Sequence, residues 1–154
     1  MRIVIMGCGR TGSMLALLMS HAGHQVTVIE KSQDALLRLG KRHNCSVVVG
    51  DGLDEDTLRR AEVEKADAFM ACTNGDNTNL MVVQMARELF GVKRVAAKVN
   101  DPVRAEAYRE YGIFTLTSGA LMAGYLRDWL LGNPTRNIEE YNQFYPELRQ
   151  LLED

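Results

Sequence analysis

With 154 residues and a formal net charge of −2, the chain has room for one domain and little more. Its 46% hydrophobic and 25% charged residues are those of a soluble globular protein, and the near-neutral balance excludes a general pull toward nucleic acid or an anionic membrane. Three scattered cysteines, Cys8, Cys45 and Cys72, form no C-x-x-C pair, so neither a disulfide frame nor a zinc site is indicated and a reducing cytoplasm is expected.

The chain begins with "RIVIM", a β-branched apolar run that predicts a strand buried on both faces. It leads straight into "GCGRTG" with no signal-peptide processing site. "TGSMLALLMSHAG" predicts a helix that Gly23 ends, and "HQVTVIE" a second strand. "SQDALLRLGKRHN" predicts a helix with Ser32 as its N-cap, and "SVVVG" a third strand. In "DGLDEDTLRRAEVEKA", Asp54 or a neighbouring acid starts a short helix.

"DAFMACT" predicts a fourth strand, "DNTNLMVVQMARELFG" a long helix stopped by Gly91, and "KRVAAKVN" a fifth strand. "DPVRAEAYREYG" predicts a helix capped by Asp101 with Pro102 at its first position. "IFTLT" is a sixth short strand, and "SGALMAGYLRDWLL" a last helix, too short and too interrupted by Arg127 and Asp128 to cross a membrane. "GNP" is a hinge, and the partly amphipathic tail "TRNIEEYNQFYPELRQLLED" is too short for a second domain. This alternation predicts an α/β fold: a Rossmann-like, doubly wound parallel sheet of about six strands in the order 3-2-1-4-5-6.

The glycine turn lies in the context that gives it meaning, between a strand and a helix. Gly7 permits the tight turn, Gly9 lets a pyrophosphate approach the backbone, and Gly12 lets helix and strand pack closely. The helix N-terminus offers open N–H groups to phosphates, so Gly7, Cys8, Gly9, Arg10, Thr11 and Gly12 are candidate cofactor-binding residues. Arg10 is either a phosphate clamp or a solvated arginine. Thr11 caps the helix or bonds phosphate.

Glu30 ends the second strand 18 positions beyond Gly12, near the ~20 expected of the acid that binds ribose hydroxyls. A carboxylate there favours NAD or an adenosine nucleotide over NADP, an inference that Lys31 softens. Ligands of such sheets sit beyond the C-terminal strand ends. Asp51, with Gly52 and Leu53 after it, is there either as an acceptor for an adenine amino group or as part of an ordinary turn.

Thr73 and Asn74 follow the fourth strand, where Asn74-Gly75 also suits a tight turn and Asp76 or Asn77 a helix cap. Asn79, one turn into the helix, is harder to place as a cap. Lys98, closing an apolar strand, points into the crevice or a subunit contact. None of His21, His24 and His43 falls at a C-terminal strand end. No Tyr-x-x-x-Lys, G-x-S-x-G or H-E-x-x-H motif occurs. The sequence therefore offers a nucleotide site without evident acid–base chemistry.

Taken together, "MRIVIMGCGRTGSMLA", "VTVIEKS", "VVVGDGLDEDTLRRA", "ADAFMACTNGDNTNL" and "VAAKVNDPVRAEAY" resemble the N-terminal nucleotide-binding lobe of the Trk/Ktr family. These are the RCK, or KTN, regulatory subunits of potassium transporters and channels. The resemblance covers residues 1–131 and leaves 132–154 as a C-terminal tail. It implies a cytoplasmic regulatory subunit without enzyme activity, at the inner face of the membrane, binding NAD(H), ATP, ADP or AMP. It also implies self-association as a dimer, tetramer or octameric ring on a potassium-translocating membrane subunit.

The last helix is similar to the family's crossover helix, which packs on a dimer partner; the alternative is a helix covering its own sheet. The family continues into a second lobe, which here is expected from a separate chain, or else the chain is a minimal form. "TSGAL" lacks the acid that assists a metal in the ATP-binding branch, which counts against a Mg-ATP mode. The competing reading is a small NAD-dependent oxidoreductase or redox sensor.

Overall fold

The computed structural model describes residues 1–148; the last six residues of the amphipathic tail lie outside them. Six strands form, β1 (Arg2–Met6), β2 (Gln25–Glu30), β3 (Ser46–Val49), β4 (Ala68–Ala71), β5 (Arg94–Lys98) and β6 (Phe114–Leu116), in one sheet of order β3-β2-β1-β4-β5-β6. The pairs among β1 to β5 are all parallel. The order expected from the alternation of elements is the one found.

The helices are α1 (Arg10–His21), α2 (Gln33–Leu36), α3 (Glu55–Arg60), α4 (Asp76–Glu88), α5 (Pro102–Glu110), α6 (Ser118–Leu131) and α7 (Ile138–Tyr141). The chain divides into two compact units, Met1–Ala97 and Lys98–Asp154.

In the first unit β1 is central. Met6 pairs with Ile29 on one side and Ala71 on the other, so the chain leaves β1 in opposite directions and opens a crevice above it. Ile3, Val4, Ile5 and Met6 are all buried, as a strand covered on both faces requires. Ile5, Ile29 and Phe69 are among the largest fully buried side chains. β3 is the edge strand, with Val47 and Val49 exposed.

Local rules explain most boundaries. Ser32, Asp54 and Asp101 each cap a helix by accepting a backbone N–H two or three residues on, and Pro102 takes the first helical position. Gly23 and Gly91 follow α1 and α4 with φ of +84° and +71°, conformations that favour glycine.

Two expectations fail. The helix after Ser32 does not run to Asn44: α2 gives way to a 3-10 turn at Leu37–Leu39 that ends at Gly40, φ +74°. α4 is entered from Gly75 with no side-chain cap, so neither Asp76 nor Asn77 fills that role.

The second unit is closed by its own tail. Thr115 donates its hydroxyl to the Ala105 carbonyl at 2.9 Å, tying β6 to α5. The Asn142 amide donates to the Thr115 carbonyl at 2.7 Å and accepts from the Thr117 N–H at 3.0 Å. One tail side chain thus satisfies two backbone groups beside β6.

Gly124 of α6 has no room for a side chain, since a Cβ there would lie 1.7 Å from the Tyr145 hydroxyl. Asp128, buried in α6, accepts from Arg136 at 2.8 Å. The rest of α6 is uncovered: Met122, Trp129 and Leu130 are 66%, 70% and 73% exposed. Gly124 and Asp128 are its only fully buried residues, so α6 does not bury its apolar side chains as a helix covering its own sheet would.

Replacing Asn142 with alanine strands the buried Thr117 N–H and Thr115 carbonyl. The expected loss is about 1–3 kcal/mol, read from urea denaturation followed by circular dichroism. An unchanged midpoint would mean that the tail does not brace β6.

Candidate nucleotide-binding site

The C-terminal ends of β1 to β4 open onto a cleft of about 450 Å³. Met6, Gly7 and Gly9 line it from the first turn, Ile29, Glu30 and Lys31 from the end of β2, and Gly50, Asp51 and Gly52 from the loop after β3. Cys72, Thr73, Asn74, Gly75 and Thr78 close the β4 side. Ala35 and Arg38 complete the rim from α2 and the 3-10 turn after it.

The three glycines of the turn have three different physical reasons. Gly7 has φ +98°, and a Cβ there would also press on the Thr73 nitrogen at 3.0 Å. Gly12 passes so close to Gly7 that a Cβ would lie 1.9 Å from the Gly7 carbonyl oxygen. Gly9 has an ordinary φ of −72°, and a Cβ there would meet nothing within 4 Å. The first two glycines are demanded by the fold. The third leaves open space at the wall of the cleft.

No side chain caps α1 at Gly9. The first-turn N–H groups are open toward an incoming anion, and a 12-residue helix adds its dipole.

Glu30 braces this turn. One carboxylate oxygen accepts from the Cys8 N–H at 2.7 Å and the other from the Ser32 N–H at 2.9 Å. Each oxygen keeps a lone pair for a further donor. Gly7 adds a backbone bond to the Ile29 carbonyl at 2.8 Å. Asp51 turns one oxygen to the Leu53 N–H at 3.0 Å.

Across the cleft, fully buried Asn79 accepts from the Thr73 N–H at 3.0 Å and the Thr73 hydroxyl at 2.6 Å, and donates to the Thr73 carbonyl at 3.1 Å. Asn79, unexplained as cap or turn, therefore shapes the loop that faces the cleft.

Of the sequence-derived candidates, Gly7, Gly9, Glu30, Lys31, Asp51, Gly52, Thr73 and Asn74 line one cleft. Cys8 is buried beneath the turn and Gly12 behind it, while Arg10 and Thr11 are exposed on the first turn of α1. Leu53 and Asn79 sit outside the lining, and half-buried Lys98 belongs to the second unit. The Cys8 thiol is pushed up, first by burial and then by the negative charge of Glu30.

Met6, Ile29, Thr78, Ala35 and Arg38 line the cleft without being singled out by sequence reasoning; for Ala35 and Arg38 a signal existed. Their signal is the break of the predicted helix at Gly40, which holds the 3-10 turn over the end of β2. None of the three histidines lines the cleft. Among the described residues no cluster of His, Cys, Asp or Glu is placed to hold a metal, and no helix is long and apolar enough to cross a membrane.

Glu30→Gln leaves one of the two braced N–H groups facing an amide NH2. The ligand-free protein is expected to lose about 1–3 kcal/mol in urea denaturation. A variant as stable as the parent would show that the brace contributes nothing.

The TrkA-N domain profile matches residues 3–118. The Trk system potassium uptake protein TrkA of Streptomyces coelicolor is 48% identical over 118 residues, covering 77% of this chain and 53% of that protein. The chain thus spans about half the length of that curated relative. The AMP-bound C-terminal domain of Kef from Shewanella denitrificans superposes with a TM-score of 0.71 at 20% identity, covering 99% of this chain and 93% of that one.

GsuK bound to ADP gives a TM-score of 0.71 at 25% identity over 84% of this chain and 33% of that one. The GsuK channel bound to NAD gives 0.66 at 23% over 81% and 22%. A fold with its sheet order, its glycine turn and a family profile spanning most of both is sufficient assignment: the chain belongs to the TrkA-N domain family.

Proposed function

We propose that this chain is a nucleotide-binding regulatory subunit of a Trk-type potassium uptake system and performs no catalysis of its own. The observation that carries this reading is the empty wall at Gly9, where a glycine that the fold does not need keeps open the approach to the helix N-terminus. Pyrophosphate or phosphate sits on the first-turn N–H groups, with Arg10 swinging over from its exposed position. Ribose hydroxyls donate to the remaining lone pairs of Glu30, and adenine lies toward Asp51. AMP, ADP and NAD, the ligands in the structures of Kef and GsuK, share the adenosine part that this cleft accommodates.

Regulation follows from differential affinity. A bound nucleotide shifts the protein toward whichever arrangement holds it more tightly. The shift is passed to a potassium-translocating partner at the inner face of the membrane. The apolar side chains that α6 leaves uncovered, Met122, Trp129 and Leu130 among them, form the contact with a second copy of the chain. An uncovered patch of that kind marks an association surface.

Two measurements test this. NAD+, NADH, ATP, ADP and AMP are screened by thermal shift. A true ligand at about 100-fold over its Kd adds about 2.7 kcal/mol, a rise of roughly 5–10 °C for a chain of this size. Gly9→Ala is expected to keep stability within about 1 kcal/mol while abolishing the shift, and NADH is not consumed. Absence of any shift, or steady NADH turnover, would sink the reading. The parent is expected to sediment as a dimer or larger assembly, and the Trp129→Glu/Leu130→Glu double variant as a monomer; a strictly monomeric parent overturns the assignment of α6.

A further inference from the structure

A carboxylate at the end of β2 ordinarily turns away a phosphate on the ribose 2′-oxygen. In this cleft the carboxylates already hold backbone N–H groups, and two cations stand beside them. Both Glu30 oxygens hold backbone N–H groups, at 2.7 Å and 2.9 Å, and Asp51 holds the Leu53 N–H at 3.0 Å.

Lys31 and Arg38 line the same cleft as Glu30. Lys31 follows Glu30 directly, and Arg38 comes from the 3-10 turn. Both are exposed, and neither makes a hydrogen bond or ion pair with any of the described residues. Arg38 is nonetheless close enough for its charge to act on the Cys8 thiol beneath the turn. Ala35, a small side chain, lines the cleft with them.

Two cations with no partner among the described residues, beside a carboxylate already bonded to the backbone, make a place for an anion rather than against one. A guanidinium offers a planar fork that matches phosphate oxygens in a bidentate way. In dinucleotide-binding folds an arginine near the end of the second strand is the group that accommodates a 2′-phosphate. Lys31 directly follows Glu30, the residue assigned to the ribose, so these cations belong to the Glu30 corner of the cleft.

We propose that Lys31 and Arg38 form a second anion subsite, so that the cleft accepts adenine nucleotides bearing a ribose 2′-phosphate, as in NADP, as well as those without one. This rests on the reading of the cleft as an adenine-nucleotide site. Arg38 is its specificity-determining residue, while Glu30 remains the brace of the turn.

The test is calorimetric titration of the full chain with AMP and with 2′,5′-ADP, which differ only in the 2′-phosphate. The parent is expected to bind 2′,5′-ADP at least as tightly as AMP. Arg38→Ala, a change at an exposed position, is expected to lower the 2′,5′-ADP to AMP preference by about tenfold, the worth of a charge-assisted hydrogen bond. Lys31→Ala moves the preference the same way by a smaller factor.

A parent that binds AMP but takes 2′,5′-ADP about tenfold more weakly, or a preference unchanged by Arg38→Ala, overturns the subsite and leaves the nucleotide reading standing. Failure of AMP and 2′,5′-ADP alike to bind removes both.

Discussion

The candidate site depends on one carboxylate that joins two turns. Glu30 leaves β2 and holds the Cys8 N–H of the glycine turn with one oxygen and the Ser32 N–H at the start of α2 with the other. The β1–α1 turn and the β2–α2 turn are thereby fixed to each other, beyond what the parallel pairing of β1 with β2 provides. A half-buried carboxylate held by two donors is pre-organised; under the proposed function a ribose would meet acceptors already fixed in place, with little ordering left to do on binding. Asn79 does the corresponding work on the β4 side by fastening Thr73 through three hydrogen bonds.

Much of this was legible in the sequence, because the relevant rules are local. The periodicity of "RIVIM" and "HQVTVIE", the caps Ser32, Asp54 and Asp101, and the spacing of Gly7, Gly9, Gly12 and Glu30 depend on near neighbours and on fixed offsets. The parallel sheet order followed from the handedness of crossovers, which leaves few alternatives once strands and helices alternate.

What was not legible depends on contacts between residues distant in sequence or on competition between close local options. The segment after Ser32 has helical composition through Asn44, but α2 stops within one turn and a 3-10 turn follows, ended by a glycine at positive φ. That early stop is what sets Arg38 on the rim. Asn79 looked like a spare polar residue in a helix because its partner, Thr73, lies in a loop. The tail read as an appendage; only three-dimensional packing reveals that Asn142 serves the backbone beside β6 and that Gly124 is shaped to receive Tyr145.

The turn's three glycines also separate two kinds of history. Gly7 and Gly12 are held by the backbone itself, through a positive φ at one and a 1.9 Å approach at the other; any descendant that keeps the fold must keep them. Gly9 is under no such obligation, since a methyl group there would project into open space. A lineage that stopped using its ligand would be free to fill that one position while the other two stayed fixed. Under the proposed function, Gly9 is therefore the glycine of the turn whose retention reports on ligand use rather than on folding.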